Sequence, residues 1–255
     1  PRIHAAFAEA AGVALDYDRI EIAGDALIAR LAGLHAEGWA GFNVTVPHKQ
    51  AVLAACATLS DSAERAGAVN TLVRTDTGWH GDNTDGLGLL RDLQRLGVAV
   101  AGRRVLVLGA GGAVRGILAP LLKAQPASLT VSNRNPWKPE ALAEAFADLG
   151  TITPRTHWAL KGDRFDLVIN GMSAGHEGTM PALPAGLMAP GATAYDLSYG
   201  LAHAPFAAWA AEQGAETVHD GLGMLVEQAA LSFQRWHDVV PDTAAVHAAL
   251  RVAQG

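Results

Sequence analysis

The chain has 255 residues, of which 50% are hydrophobic and 17% are charged. It therefore has enough apolar sequence for one large or two modest domains, and an intrinsically disordered chain is excluded. The count of 19 Lys and Arg against 25 Asp and Glu gives a formal charge of −6, which argues against broad binding to nucleic acid or anionic membranes. With one cysteine, Cys56, and no leader or long apolar run, we expect a cytoplasmic protein without an intramolecular disulfide.

The first third of the chain alternates short apolar runs with helical periodicity, which predicts βα units and an α/β fold with a largely parallel sheet. The predicted elements begin with a helix over 3–10 and a helix that carries Leu27, Leu31 and Leu34 and ends before Gly38. A strand over 42–46, a helix over 47–59 beginning at Pro47, a hairpin of strands 68–74 and 79–83, and a helix over 85–96 follow.

From residue 103 onward the pattern is more regular. The predicted strands are 103–108, 129–132, 167–169, 194–197 and 217–218, and the predicted helices are 112–125, 139–149, 205–213, 222–236 and a last helix from Pro241. The domain boundaries are expected near 85–101 and near 219.

A glycine-rich turn follows the strand over 103–108. It reads Gly109-Ala110-Gly111-Gly112-Ala113 and leads directly into an apolar helix. Glycines at such a turn let the backbone approach a pyrophosphate at the positive end of the helix. The motif favours dinucleotide binding over the alternative, a merely glycine-rich turn, because both the strand and the helix are present.

The next strand ends at Ser132-Asn133-Arg134-Asn135, with Lys138 shortly after. An NAD-type site would place Asp or Glu here to bind the ribose 2′-hydroxyl group. Two cations and no carboxylate suit a 2′-phosphate instead, so we predict NADP rather than NAD. An ordinary solvated turn is the alternative.

Several polar residues in the first third are candidates for chemistry. If Pro47 begins a helix, Lys49 lies at its positive end, where the helix dipole would favour release of its proton. With a carboxylate partner Lys49 could act as a general acid or base, and a solvated lysine is the alternative. Asp82 and Asp85, before the next helix, could each be a plain N-cap. Asn70 lies within an apolar strand, where its amide needs partners or a ligand.

The motifs taken together resemble the shikimate dehydrogenase family. They are Gly-Phe-Asn43-Val-Thr45-Val-Pro-His-Lys49, Ala-Gly-Ala-Val-Asn70-Thr, Gly-Asp-Asn-Thr-Asp85-Gly, Gly109-Ala-Gly-Gly-Ala, Asn133-Arg134, Asp196-Leu-Ser-Tyr199-Gly and Asp220-Gly221-Leu-Gly-Met-Leu-Val-Glu-Gln228. They cover nearly the whole chain in the family's order. The family reduces 3-dehydroshikimate to shikimate with NADPH in aromatic amino-acid biosynthesis.

The resemblance implies a role for each matching residue. Lys49 and Asp85 would be the catalytic pair. Substrate would be bound by Asn43, Thr45, Asn70, Tyr199 and Gln228. NADP would be bound by Gly109, Ala110, Gly111, Gly112, Ala113, Asn133, Arg134, Lys138, Leu197 and Gly221. The histidines lack metal-ligand spacing, so no metal is expected.

The resemblance also implies a chain of two domains. Residues 1–85 and 220–255 would form an α/β substrate domain from both chain ends, and residues 86–219 would form a Rossmann-like NADP domain. We expect a monomer or homodimer. Two other functions stay open: a quinate/shikimate dehydrogenase, against which Arg134 argues, and a non-catalytic NADP(H)-binding sensor or paralogue.

Family members open with a strand and a turn whose two serines bind the substrate carboxylate. The sequence given starts at Pro1-Arg2-Ile3-His4, after that turn, and so lacks both. A protein that begins at Pro1 is therefore expected to bind its substrate weakly.

Overall fold

The computed structural model describes residues 1–252 of the chain, which divides into two compact units. The first unit comprises Pro1–Arg91 and the chain from Gly223 onward, and the second comprises Asp92–Leu222. Both ends of the chain thus build the first unit.

Helices and strands alternate through both units. The α-helices are α1 Arg2–Ala11, α2 Leu27–Ala36, α3 Asp61–Ala66, α4 Asp85–Arg95, α5 Gly112–Lys123, α6 Trp137–Ala145, α7 Ala204–Glu212, α8 Leu222–His237 and α9 Ala244–Val252. The strands are β1 Gly41–Asn43, β2 Cys56–Leu59, β3 Thr71–Thr75, β4 Gly78–Asp82, β5 Arg104–Leu108, β6 Ser128–Ser132, β7 Ile152–Arg155, β8 Phe165–Asn170, β9 Met188–Asp196 and β10 Thr217–His219.

The sheet of the first unit has the order β1-β3-β4-β2. Strands β3 and β4 form the predicted antiparallel hairpin, in which Thr71 pairs with Asp82. One face of the sheet packs on α2, whose stripe of Leu27, Leu31 and Leu34 is buried as its spacing predicts. A second apolar cluster joins α1, α8 and α9. This packing fixes the end of β4, where the candidate catalytic Asp85 begins α4.

The sheet of the second unit is parallel, in the order β10-β9-β8-β5-β6-β7. Counted within this unit and from its β7 edge, the strand order is 3-2-1-4-5-6, the order of doubly wound dinucleotide-binding folds. The chain reverses direction across the sheet between β5 and β8. Such sheets bind ligands at the carboxyl ends of the strands beside this point, which is where Gly109 follows β5.

The prediction of a helix over 47–59 is wrong. Residues 46–50 form a turn, a short 3-10 helix follows over Ala51–Ala55, and the next residues form β2. Tertiary hydrogen bonds explain the difference, because Lys49 O accepts from Val69 N at 2.7 Å. Lys49 therefore does not lie in the first turn of an α-helix, and a helix dipole does not act on it in the way the sequence predicted.

Three further elements differ from expectation. The strand predicted over 42–46 is the shorter β1, and both α3 and β7 are absent from the prediction. Strand β7 contains Pro154, which has no N–H group to donate to a neighbouring strand. Its place at the edge of the sheet leaves one side of the strand unpaired, and so the proline is tolerated there.

Gly88 of α4 lies against Gln228 of α8, which gives a first prediction. A Cβ atom at Gly88 would lie 2.7 Å from Gln228 Cβ and 2.8 Å from Gln228 N. We expect Gly88→Ala to lower the free energy of unfolding by about 1–3 kcal/mol through overpacking, as measured by urea denaturation. The control is Gly33→Ala in α2, where the nearest atom would be 3.7 Å away. A stability of Gly88→Ala equal to that of this control would contradict the prediction.

Candidate active site and nucleotide site

Lys49 and Asp85 form an ion pair in the first unit. Lys49 Nζ donates to Asp85 Oδ2 at 2.7 Å, and the Asp85 side chain is 7% exposed whereas that of Lys49 is 22% exposed. Asp85 is the first residue of α4, and its main-chain N–H donates to Asn83 Oδ1. The carboxylate is therefore buried, while the lysine side chain that it holds is partly exposed. An ammonium group held in this way can donate a proton to an oxygen atom.

Asn70 is the centre of the hydrogen bonds around this pair. It is 2% exposed, and its Nδ2 donates to Asp85 Oδ1 at 2.7 Å and to Gln228 Oε1 at 3.1 Å. Its Oδ1 accepts from the main-chain N–H of Thr84 at 3.0 Å. The buried amide that the sequence singled out thus holds the second oxygen of Asp85 and brings Gln228 to the site.

A hydrogen-bonded path continues from Asn70 to Asn43. Thr71 Oγ1 donates to Asn70 Oδ1 at 2.9 Å and lies 2.7 Å from Ser232 Oγ, and Asn43 Nδ2 donates to Ser232 Oγ at 2.9 Å. Sequence analysis missed Thr71, Thr84 and Ser232. Ser232 follows Gln228 by one helical turn, so two polar residues on one buried face of α8 were the available signal.

Asn43 is held by neutral groups on its other side. Its Oδ1 accepts from Tyr17 Oη at 2.8 Å and lies 2.8 Å from His4 Nε2. Burial lowers the pKa of His4 to about 4 and raises the pKa of Tyr17 to about 12, so both side chains are uncharged near neutral pH. These bonds fix the amide of Asn43 before any ligand arrives.

Asn43 and Thr45 also border a cavity of about 670 Å³ in the first unit. Its walls are largely apolar and include Ile20, Leu27 and Phe42. Among the described residues, Lys49 and Asp85 are not part of its lining. The ion pair and this cavity are therefore separate features of the unit, and Asn43 is common to the path of hydrogen bonds and to the cavity wall.

Asp82 anchors the segment that carries Asp85, which gives a pH prediction. Burial by itself would raise the pKa of Asp82, but hydrogen bonds from Ser60, Arg235 and Ser62 outweigh it, and the pKa is lowered. The unfolded chain has a pKa of about 3.9 at such a residue. The stabilisation is therefore present above that value and is lost as the pH falls through the lower pKa of the folded protein.

We expect Asp82→Asn to lower the free energy of unfolding at pH 7 by about 1–3 kcal/mol and to reduce its decline in acid. Urea denaturation across the acid range measures both quantities. The control is Asp76→Asn, at an exposed position in the turn of the hairpin. An Asp82→Asn protein with the stability and the acid profile of wild type would refute the anchoring role.

In the second unit, the loops after four strands meet at three glycines. Gly109 has φ +104°, and a Cβ atom on it would lie 2.9 Å from Gly171 O. A Cβ atom on Gly171 would lie 3.2 Å from Leu197 Cδ1, and one on Gly221 would collide with Leu197 O. The predicted cofactor residues Gly109, Leu197 and Gly221 are thus brought together. Gly171 was missed, although it follows a buried strand just as Gly109 does.

The helix after Gly109 has an open amino-terminal end. Gly111 is its N-cap and Gly112 its first residue, and a Cβ atom on either would meet no atom within 4 Å. Ala110 is half-buried and Ala113 is exposed. The first N–H groups of a helix have no partner within the helix, and they attract anions. Glycine-lined backbone at a free helix end fits the pyrophosphate of a dinucleotide.

The two predicted phosphate-binding cations are exposed on the loop and helix after β6. Arg134 and Lys138 are both exposed, and Asn133 Oδ1 accepts from Asn135 N at 2.9 Å, which closes the turn. His157 lies in the segment after β7. The positive charge of Arg134 is close enough to lower the pKa of the His157 ring. This cationic surface fits a 2′-phosphate.

Tyr199 lies in the second unit and not with the other predicted substrate residues of the first unit. It precedes the 3-10 helix Gly200–His203 and is 48% exposed. Its role stays a prediction. Among residues 1–252, no helix is both long and apolar enough to cross a membrane, and no group of three or more His, Cys, Asp or Glu residues is placed to hold a metal ion.

Comparison with known families gives two matches in this chain. The model described as "Shikimate dehydrogenase substrate binding domain" matches residues 1–72, and the model described as "Shikimate 5'-dehydrogenase C-terminal domain" matches residues 221–251. These ranges contain Lys49, Asn70 and Gln228.

Relatives with similar sequences and folds cover nearly the whole chain. A protein named shikimate dehydrogenase (NADP(+)) from Methylobacillus flagellatus is 49% identical over 99% of this chain and 94% of its own length. The crystal structure of an Ael1 enzyme from Pseudomonas putida is 42% identical, with a TM-score of 0.91 over 98% of this chain and 92% of its own. The structure of shikimate 5-dehydrogenase from Thermus thermophilus, in complex with NADP(H) and shikimate, is 33% identical to this chain. Its TM-score is 0.84, and the match covers 99% of this chain and 94% of its own.

Proposed function

Because this chain belongs to the shikimate dehydrogenase family, we propose that it catalyses the reversible NADPH-dependent reduction of 3-dehydroshikimate to shikimate. The observation that carries the proposal is the 2.7 Å ion pair between the partly exposed side chain of Lys49 and the buried carboxylate of Asp85. A ketone reduction needs a proton donor at the developing alkoxide, and this ammonium is suited to that role.

Lys49 acts as the general acid in the proposed mechanism. NADPH, held by the residues of the second unit, would supply a hydride for the ketone carbon. The ammonium of Lys49 stabilises the negative charge that builds on the ketone oxygen and transfers its proton to that oxygen. The O–H bond of the product forms as the N–H bond of Lys49 breaks, and the resulting amine regains a proton from solvent. Oxidation of shikimate follows the same steps in reverse.

Asp85 and Asn70 orient the acid. Asp85 Oδ2 accepts from Lys49, and Asp85 Oδ1 accepts from Asn70, so each carboxylate oxygen has a defined partner. Asp85 also balances the charge of the ammonium while Lys49 is protonated. Asn70 is held by Thr84 and Gln228, which leaves the carboxylate little freedom to turn away.

The ring hydroxyl groups of the substrate would be bound by polar side chains near this pair. We assign Asn43, Thr45, Asn70 and Gln228 of the first unit to them, and Tyr199 of the second unit to substrate contact. Asn70, Asn43 and Gln228 are supported by the hydrogen-bonded path that links them to Asp85. Thr45 and Tyr199 rest on family membership alone.

The residues of the second unit would hold NADP. Gly109, Ala110, Gly111, Gly112 and Ala113 would accept the pyrophosphate at the start of α5. Asn133, Arg134 and Lys138 would bind the adenosine 2′-phosphate, and Leu197 and Gly221 would contact the nicotinamide end. We assign residues 86–219, together with Gly221, to cofactor binding, and the rest of 1–85 and 220–255 to substrate binding.

Steady-state turnover tests the proposal. Purified protein is incubated with NADP and shikimate, then with NADP and quinate, and the absorbance of the reduced cofactor is followed. We expect turnover with shikimate well above that with quinate. Equal turnover of quinate would identify a quinate/shikimate dehydrogenase. Tight NADPH binding without turnover of either compound would reject the proposal in favour of a sensor.

A further inference from the structure

The segment after β7 lies against the loop that carries Arg134. Strands β6 and β7 are paired so that Ser132 is opposite Arg155, and Asn133 N donates to Arg155 O at 3.2 Å. His157 comes two residues after β7. The pairing of the two strand ends therefore brings His157 next to the start of the proposed 2′-phosphate loop.

A hydrogen bond fixes the ring of His157 in this place. Its Nδ1 lies 2.9 Å from Ser132 Oγ, and the residue is 6% exposed. Ser132 is the last residue of β6 and directly precedes Asn133 and Arg134. With Nδ1 engaged by a hydroxyl group, a ring that gains a proton presents N–H donors at both nitrogens.

The surroundings of the ring oppose its protonation. Burial lowers the pKa of His157, and the positive charge of Arg134 lowers it further. Of the other charged groups on the adjoining elements, Arg155 donates to Pro154 O on its own strand, and Lys138 of α6 is an exposed cation. In the protein without nucleotide, His157 is therefore neutral near pH 7.

We propose that His157 is a further cofactor-specificity residue, which takes up a proton when a 2′-phosphate binds beside Arg134 and thereby strengthens the preference for NADPH over NADH as the pH falls. This inference rests on the proposed NADP specificity. A phosphate monoester carries a charge of about −1.5 to −2 at pH 7, which offsets the field of Arg134 at the ring. The proton comes from solvent and forms the second N–H bond of the ring; no other bond changes.

The sign of the pH dependence follows from linkage. Binding raises the proton affinity of His157, so the added affinity for NADPH is fully present below the pKa of the free protein and is lost as the pH rises through the pKa of the complex. Each unit by which binding raises this pKa gives about a tenfold gain in NADPH affinity at low pH relative to high pH. NADH has no 2′-phosphate and gains nothing from this group.

Calorimetry of NADPH and NADH binding, in two buffers with different ionisation enthalpies, measures the protons taken up. The test compares wild type with His157→Gln between about pH 6 and pH 8, where histidine titrates. The variant can keep a hydrogen bond to Ser132 but cannot bind a proton. The matched control is His80→Gln in the first unit, because His80 Nδ1 also lies 2.9 Å from a hydroxyl oxygen, Thr58 Oγ1.

The expected result is proton uptake on NADPH binding by wild type and by His80→Gln, with a smaller uptake and a flatter pH dependence of the dissociation constant in His157→Gln. Equal uptake in wild type and His157→Gln would overturn the inference. If that variant does not fold, absence of proton uptake by wild type at pH 7 overturns it as well. A wild type that binds NADH as tightly as NADPH would instead reject the proposed cofactor.

Discussion

Replacing Lys49 by alanine is expected to lower kcat for shikimate oxidation about 10²–10⁴-fold, the usual contribution of a positioned acid or base. The substrate KM should change little, because the proton transfer by Lys49 is specific to the transition state. Steady-state kinetics with saturating NADP measures both constants. Comparing kcat with KM separates proton transfer from substrate binding, because Asn70 and Gln228 would still bind the ring hydroxyl groups of shikimate in Lys49→Ala.

The loss of Lys49 also leaves Asp85 without its cationic partner, so stability needs a separate measurement. A buried carboxylate that loses its partner destabilises a protein, and we therefore expect a lower melting temperature for Lys49→Ala. Turnover has to be compared well below that temperature. The control is Lys123→Ala, at an exposed position in the last turn of α5. A Lys49→Ala protein with nearly the turnover of wild type would exclude Lys49 from the chemistry.

Replacing Arg134 by alanine is expected to weaken NADPH binding selectively. A hydrogen bond to a charged group contributes about 1.5–3 kcal/mol, and therefore the NADPH dissociation constant should rise about 10–100-fold. NADH binding should be unaffected, because NADH lacks the phosphate that Arg134 would bind. Fluorescence titration with each cofactor measures this change in selectivity.

A matched variant separates a local effect from a general loss of positive charge. Arg164→Ala removes the same side chain from an exposed position directly before β8, away from the carboxyl ends of the strands. We expect this protein to bind NADPH as wild type does. If Arg134→Ala and Arg164→Ala change NADPH affinity equally, or if wild type shows no preference for NADPH, the loop after β6 is not the specificity site.

Local patterns predicted most elements of the second unit, with β7 as the missed strand. The unit of β5, α5 and β6 is present with the glycine turn in place, because a buried strand, a turn that needs a positive φ at Gly109 and an apolar helix are each specified by neighbouring residues. The hairpin of β3 and β4 and the start of α4 at Asp85 are confirmed for the same reason. Each of these features rests on side-chain periodicity or turn chemistry over a few residues.

The segment from Pro47 to Leu59 shows where local patterns fail. Its alanine-rich sequence has high helix propensity, yet it forms a turn, a 3-10 helix and β2. Strand β2 pairs in parallel with β4, about twenty residues away, with a register shift after Cys56. The hydrogen bond from Val69 N to Lys49 O likewise comes from a distant segment. Pairing between distant segments leaves no periodic signal in the segment itself.

The sequence by itself determined the α/β class, the glycine turn, the cationic loop at Arg134 and the identity of the candidate pair Lys49 and Asp85. The tertiary structure decided what these groups touch. It placed Lys49 beside Asp85 through a turn and not at a helix end, and it joined Asp85 to Asn43 through Asn70, Thr71 and Ser232. The physical reason is that helix periodicity and turn chemistry act over a few neighbouring residues, whereas a hydrogen bond between residues 36 or 161 positions apart exists only once the sheet and α8 have packed together.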